Sequence, residues 1–134
     1  MPTGYSGKPL AEKLGVKDGE ALFAVGMPAK VKADIEAGAS PKWVKSAVKE
    51  LPAAHVFATE ARKLAAELNT LRPLLAKTGR VWVSWPKKAA KVETDITEDR
   101  IRQIALPMGY VDVKVCAVDA TWSGLKLVIR KTER

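Results

Sequence analysis

One cysteine and one histidine are all that this chain of 134 residues carries of either type. Cys116 has no second cysteine with which to close an internal disulfide, a usage that fits a reducing compartment. One thiol and one imidazole also fall short of the four sulfur or nitrogen ligands that a structural zinc ion takes from a single chain, so no metal is expected. Long apolar runs are missing as well. Nothing approaches the roughly 20 residues that span a bilayer, and the opening Met1 to Lys8 has no apolar stretch behind a basic start, so the chain reads as cytoplasmic, without membrane contact. The arm Tyr5-Ser6-Gly7-Lys8 bears a glycine but lacks the GxxxxGK[ST] spacing of a phosphate loop.

What is present is the composition of an ordinary globular protein, 47% hydrophobic and 28% charged. A chain of this length suits a single domain that buries roughly two thirds of its unfolded surface. We expect an arm and short helix over 1–19 and a core over 20–134. The formal charge is +8, and clustered lysines and arginines would suggest nucleic acid. Along the sequence they are spread out instead, at Lys8, Lys13 and Lys17, at Lys42, Lys45 and Lys49, at Lys87, Lys88 and Lys91, and at Arg130, Lys131 and Arg134. Such spacing reads as a solvated surface, with nucleic-acid binding ranked behind it.

Apolar spacing predicts an alternation of strands and helices. Pro9 to Leu14 reads as a short helix stopped by Gly15, Ala21 to Val25 as the first strand, and Pro28 opens a helix with Val31 and Ile35 on one face until Gly38. Between Ser40 and Leu51 the residues Val44, Ala47, Val48 and Leu51 match helical spacing, while a strand near Trp43 and Val44 stays open; the periodicity favours the helix. Ala54 to Ala58 reads as a buried strand. An amphipathic helix follows with Leu64, Leu68, Leu71 and Leu75 in one stripe and Pro73 in its last turns, then the strand Arg80 to Ser84. Asp95 and Glu98 predict a capping box for a helix bearing Ile101, Ile104, Ala105 and Met108. Val111 to Ala117 and Leu125 to Arg130 read as two antiparallel strands reversed at Thr121 to Gly124.

Two resemblances follow from these residues. Leu14-Gly15-Val16-Lys17-Asp18-Gly19-Glu20, the stretch Leu71 to Ser84 and the terminal hairpin resemble S-adenosylmethionine-dependent methyltransferases. The opening Gly4-Tyr5-Ser6-Gly7-Lys8-Pro9-Leu10, the central Trp82-Val83-Ser84-Trp85-Pro86-Lys87-Lys88, and Val111 to Asp119 with Trp122-Ser123-Gly124 are similar to an uncharacterised bacterial domain-of-unknown-function family. Together they imply a three-layer α/β fold, a truncated methyltransferase-like and Rossmann-like sheet, mostly parallel, ending in an antiparallel hairpin. The methyltransferase resemblance also implies a GxGxG-type loop after the first strand and an acidic residue ending the second, which holds the cofactor's ribose. Here the loop is Gly26-Met27-Pro28-Ala29-Lys30, with one glycine, and no acidic residue stands at a second strand end.

Ligands of open α/β sheets bind beyond the carboxyl ends of the parallel strands. That rule selects Met27, Thr59 and Glu60, Trp85 to Lys88, and Asp119 to Trp122. The candidate ligand-binding set is Tyr5, Lys8, Trp85, Lys87, Lys88, Asp119 and Trp122: ammonium groups for an anion, indoles for stacking. The bland alternative is a packed Trp85 beside a solvated lysine turn, and it is the stronger. His55, placed at the start of its strand, falls on the opposite edge and is excluded as a general base. Cys116 reads as a small packed hydrophobe, and Glu93, Asp95, Glu98 and Asp99 as helix-capping charge rather than a magnesium site. The missing glycines favour a non-catalytic binding domain for a small anionic ligand or a partner protein, with no cofactor. A small S-adenosylmethionine-dependent methyltransferase and a weak nucleic-acid binder are the alternatives, and a homodimer through the hairpin edge stays open.

Overall fold

A computed structural model describes residues 8–134, so Tyr5 lies outside the described residues. After helix α1 (Leu10–Leu14) the chain runs β1 (Ala21–Val25), α2 (Ala29–Glu36), β2 (Lys42–Val44), β3 (Leu51–Phe57), α3 (Ala61–Leu71), β4 (Leu75–Pro86), α4 (Glu98–Ala105), β5 (Tyr110–Ala117) and β6 (Trp122–Ile129). The strands form one sheet in the order β2-β1-β3-β4-β6-β5. Strands β2, β1, β3 and β4 are parallel, and β6 runs antiparallel between β4 and β5. This is the expected Rossmann-like sheet with its terminal hairpin. No helix among the described residues is long and apolar enough to cross a membrane.

Alternation along the central strands gives the sheet two apolar faces. Val81, Val83 and Trp85 of β4 join Ala54 and Val56 of β3 under α3 and α4, where Leu64, Leu68, Leu71 and Ile101 are buried. On the other face Trp82 and Phe57 meet Leu10 and Leu14 of α1 and Val31 and Ile35 of α2. The indole of Trp82 donates to the Leu14 carbonyl at 3.0 Å, which ties α1 to the sheet centre. Arg80 clamps the same corner, donating to both carboxylate oxygens of Glu20 at 2.6 and 3.0 Å and to the Gly15 carbonyl at 2.7 Å.

Four expectations are corrected. The Ser40 to Leu51 segment is not a helix: Lys42–Val44 form an edge strand, and residues 45–50 return the chain to the start of β3. Those six residues must reach back along the sheet past β1; as a helix they would rise only about 9 Å, whereas extended chain spans about 20 Å. Helix α3 ends at Leu71, and Leu75 belongs to β4. Pro73 has no N–H to continue the ladder, so the turn closes with Arg72 N–H to the Leu68 carbonyl at 3.0 Å and Leu74 N–H to that of Leu71 at 2.9 Å. The cap of α4 is Thr97, whose Oγ1 accepts from the Arg100 N–H at 3.1 Å. Asp95 instead caps α3, accepting from the Ala61 N–H at 2.7 Å. Finally, the hairpin turns earlier than expected: Trp122 is already the first residue of β6.

Candidate functional site

The carboxyl edge of the parallel strands is where the chain opens. Strand β1 ends at Val25, and Gly26 leaves it with φ 66°, the left-handed region. A Cβ at Gly26 would sit 3.2 Å from the Phe57 carbonyl oxygen, so both its conformation and its space call for glycine. Two clefts meet there. One, of about 360 Å³, lies between β1, β3 and α3, with Gly26, Phe57, Thr59, Glu60 and Trp122 on its walls. The other, of about 450 Å³, lies toward β2 and is bounded by Gly26, Met27, Lys32, Trp43 and Lys45.

Aromatic contacts build the wall of the first cleft from behind. Phe57 meets Trp122 edge-on at 5.1 Å, and the imidazole of His55 stacks on Phe57 at 4.4 Å. His55 is thus the fifth of the seven residues of β3, near the carboxyl edge, and not at the strand's start as expected. It is only 2% exposed and shares a 2.7 Å hydrogen bond between Nε2 and the Ser84 hydroxyl. Burial lowers its pKa to about 3, so the ring is neutral. With Phe57 between it and the cleft, His55 supports the wall and does not face a ligand. On the cleft rim Glu60 and Lys63 pair at 2.9 Å.

The structure separates the candidate residues into groups. Trp122 lines the Gly26 cleft. Asp119 is 9% exposed and holds the hairpin turn, its Oδ1 accepting from the N–H groups of Thr121 and Trp122 at 2.8 Å each. Trp85, Lys87 and Lys88 come together in a different cleft beside the start of α4, with Trp85 at 8% exposure in the core under α3 and α4. Lys8 lies against α2 near Lys30 and Asp34. Phe57, Lys32 and Trp43 were not among the candidates. The alternation of β3 could have put Phe57 at the edge, but Trp43 enters only because residues 42–44 form a strand. No group of histidine, cysteine and carboxylates suited to a metal ion occurs among the described residues.

No protein-family model matches the sequence, and no curated protein matches it. Solved structures do. A SAM-dependent methyltransferase from Aquifex aeolicus is similar with a TM-score of 0.62 and 13% identity, covering 90% of this chain and 87% of its own. A didemethyltoxoflavin methyltransferase from Burkholderia thailandensis, solved with S-adenosylhomocysteine, has a TM-score of 0.62 at 11% identity over 92% and 78% of the two chains. LepI in complex with SAM gives 0.59 at 9% identity over 92% of this chain, which spans only 47% of LepI. These likenesses establish the methyltransferase fold. They also overturn two expectations. A non-catalytic binding domain for an anionic ligand or partner protein is not what these neighbours favour; they favour the methyltransferase alternative. The expected absence of a cofactor falls with it, since several neighbours were solved with SAM or S-adenosylhomocysteine.

Proposed function

We propose that this chain is a small methyltransferase that binds S-adenosylmethionine at the carboxyl edge of its sheet, across Gly26. The observation that carries the proposal is the Gly26 position itself. Its left-handed backbone and missing Cβ leave main chain exposed at the junction of two clefts, at the carboxyl edge where open α/β sheets in general bind ligands. A full glycine-rich loop is not required for that; one glycine at the single point of close approach suffices. The residues fit the cofactor's chemistry in two further respects. Trp122, backed by Phe57, offers a part-exposed indole to a sulfonium cation, and Glu60 and Glu67 supply carboxylates on the same walls. One departure stands out: β2 passes from Val44 to Lys45, so a carboxylate for the ribose is absent from that strand end.

Bound S-adenosylmethionine supplies an electrophilic methyl group. The chain's own part is to orient and desolvate. Gly26 lets the backbone approach, the Phe57 and Trp122 pair excludes water, and Thr59 and Glu60 present polar groups at the end of β3. His55 takes no proton from a substrate, because Phe57 seals it off. The single cysteine accords with a cytoplasmic setting for such an enzyme.

Calorimetric titration with S-adenosylmethionine and S-adenosylhomocysteine tests the proposal. One saturable site per chain is expected, weakened at least tenfold in Gly26→Ala and in Trp122→Ala. Alanine at a left-handed position costs about 1–2 kcal/mol, small enough against the roughly 5–15 kcal/mol of a typical domain that the variant folds. A protein that melts cooperatively yet gives no saturable heat with either compound rules the proposal out.

A further inference from the structure

The two clefts that meet at Gly26 differ in sign. Glu60 and Glu67 stand on the walls of the one beside Trp122. The other, of about 450 Å³, has Lys32 and Lys45 on its walls and no carboxylate. Lys45 follows Val44, which pairs with Phe23 of β1, so it stands at the carboxyl edge where β2 ends. The Lys32 ammonium group comes from α2 and lies 5.0 Å from the centre of the Trp43 indole. Helix α2 offers it a carboxylate four residues on, Glu36, at the spacing by which Lys30 does pair with Asp34 at 2.9 Å. Glu36 is committed elsewhere, its Oε2 accepting from the Trp43 indole N–H at 3.0 Å. Neither Lys32 nor Lys45 has an ion-pair partner among the described residues. The indole thus holds the Lys32 ammonium in place without cancelling its charge, as a carboxylate would.

We propose that this cleft binds a ribonucleoside phosphorylated on its ribose, with Lys32 and Lys45 holding the phosphate monoester and Gly26 admitting the sugar beside bare main chain. Place, charge and shape each select that occupant. In nucleotide-binding α/β sheets the ribose lies at the end of the second strand, where an acidic side chain reads a free 2′-hydroxyl and a basic one a 2′-phosphate. Here the residue after that strand is Lys45. A phosphate monoester brings nearly two negative charges at neutral pH, a match for two ammonium groups that no carboxylate neutralises, whereas a carboxylate ligand brings one. A Cβ at Gly26 would meet the Phe57 carbonyl oxygen at 3.2 Å, so the floor between the lysines and β3 stays main chain. A concave site of this size suits one small molecule and excludes a polymer backbone or a lipid surface. The assignment concerns the β2 side of Gly26 and stands whatever the cleft beside Trp122 takes up.

Calorimetric titration with adenosine 2′-monophosphate, with adenosine and with inorganic phosphate, in the absence of S-adenosylmethionine, tests it. One saturable site per chain is expected for the monophosphate, at least tenfold tighter than for adenosine or for phosphate alone. Lys32→Gln and Lys45→Gln should each weaken it at least fivefold, and the double variant should bind the monophosphate no better than adenosine. Both lysines are exposed, so the variants should melt with the parent. Lys49→Gln, outside the cleft, should bind as the parent does. No saturable heat with the monophosphate overturns the proposal, and so does parent-like binding in the double variant. Inorganic phosphate binding as tightly as the monophosphate overturns the nucleoside assignment, and adenosine binding as tightly overturns the phosphate contact. None of these compounds carries a sulfonium, so a negative result leaves the S-adenosylmethionine titration to stand or fall by itself.

Discussion

His55 shows how one residue can be near a site without belonging to its surface. Its neutral ring is set by burial, and Ser84 satisfies it at 2.7 Å, so together they form a polar plug behind Phe57. Because the folded-state pKa is lowered from 6.5 to about 3, the unfolded chain binds the proton more readily between those values. Stability on this account is fully present above pH 6.5 and declines as pH falls toward 3. His55 is the only histidine, so the decline between pH 6.5 and 5 is assigned to it. Thermal melts across that interval should show a falling midpoint in the parent and a nearly flat one in His55→Leu. A slope that persists in the variant refutes the assignment. Ser84→Ala should cost about 1–3 kcal/mol in urea denaturation, because it strands the imidazole without a partner. The hydrophobic run of β3 was readable from residues 54–58, but a run buried on both faces does not tell which of its members lies under the edge.

Elements were readable where their determinants are local. Val31 and Ile35, or Leu64, Leu68 and Leu71, stand at helical spacing and are buried as that spacing requires. Residues 40–51 failed the same test because the span they must bridge, set by β1 and β3, overrides a period of 3.6. Asp95 failed differently. Its spacing to Glu98 suits a local cap, yet its carboxylate is spent on α3, 34 residues earlier, where no local pattern points. The two caps can therefore be separated by mutation. Asp95→Ala should cost about 1 kcal/mol by freeing the first turn of α3, and Thr97→Ala about the same at α4. If the caps act on different helices, the double variant in urea should lose close to the sum. Asp95 also joins the Thr94 loop to the end of β3, where Thr94 donates to the Thr59 carbonyl at 2.6 Å. Asp95→Ala should thus loosen the edge where the proposed cofactor sits, while Thr97→Ala should not.

At the scale of the molecule, the order β2-β1-β3-β4-β6-β5 decides both what can bind and where. The alternation of strands and helices was visible in the sequence, as was the terminal hairpin. The charge distribution was not, because Lys13, Lys114 and Lys126 become neighbours only when β5 and β6 pair and α1 docks. The same gathering has a cost that salt should reveal. With a net charge of +8 the folded chain repels itself, and raising ionic strength from 0.01 to 0.15 M shortens the screening length from about 30 to about 8 Å. The melting temperature of the protein alone should therefore rise with sodium chloride. Lys126→Gln should begin higher at low salt and rise less, because its repulsion by Arg80 and by Lys114 across the ladder is already gone. Lys49→Gln, which removes the same unit of charge away from that pair, should follow the parent's slope. If both substitutions flatten the curve equally, net charge alone governs the molecule and the paired lysines hold no special place in it.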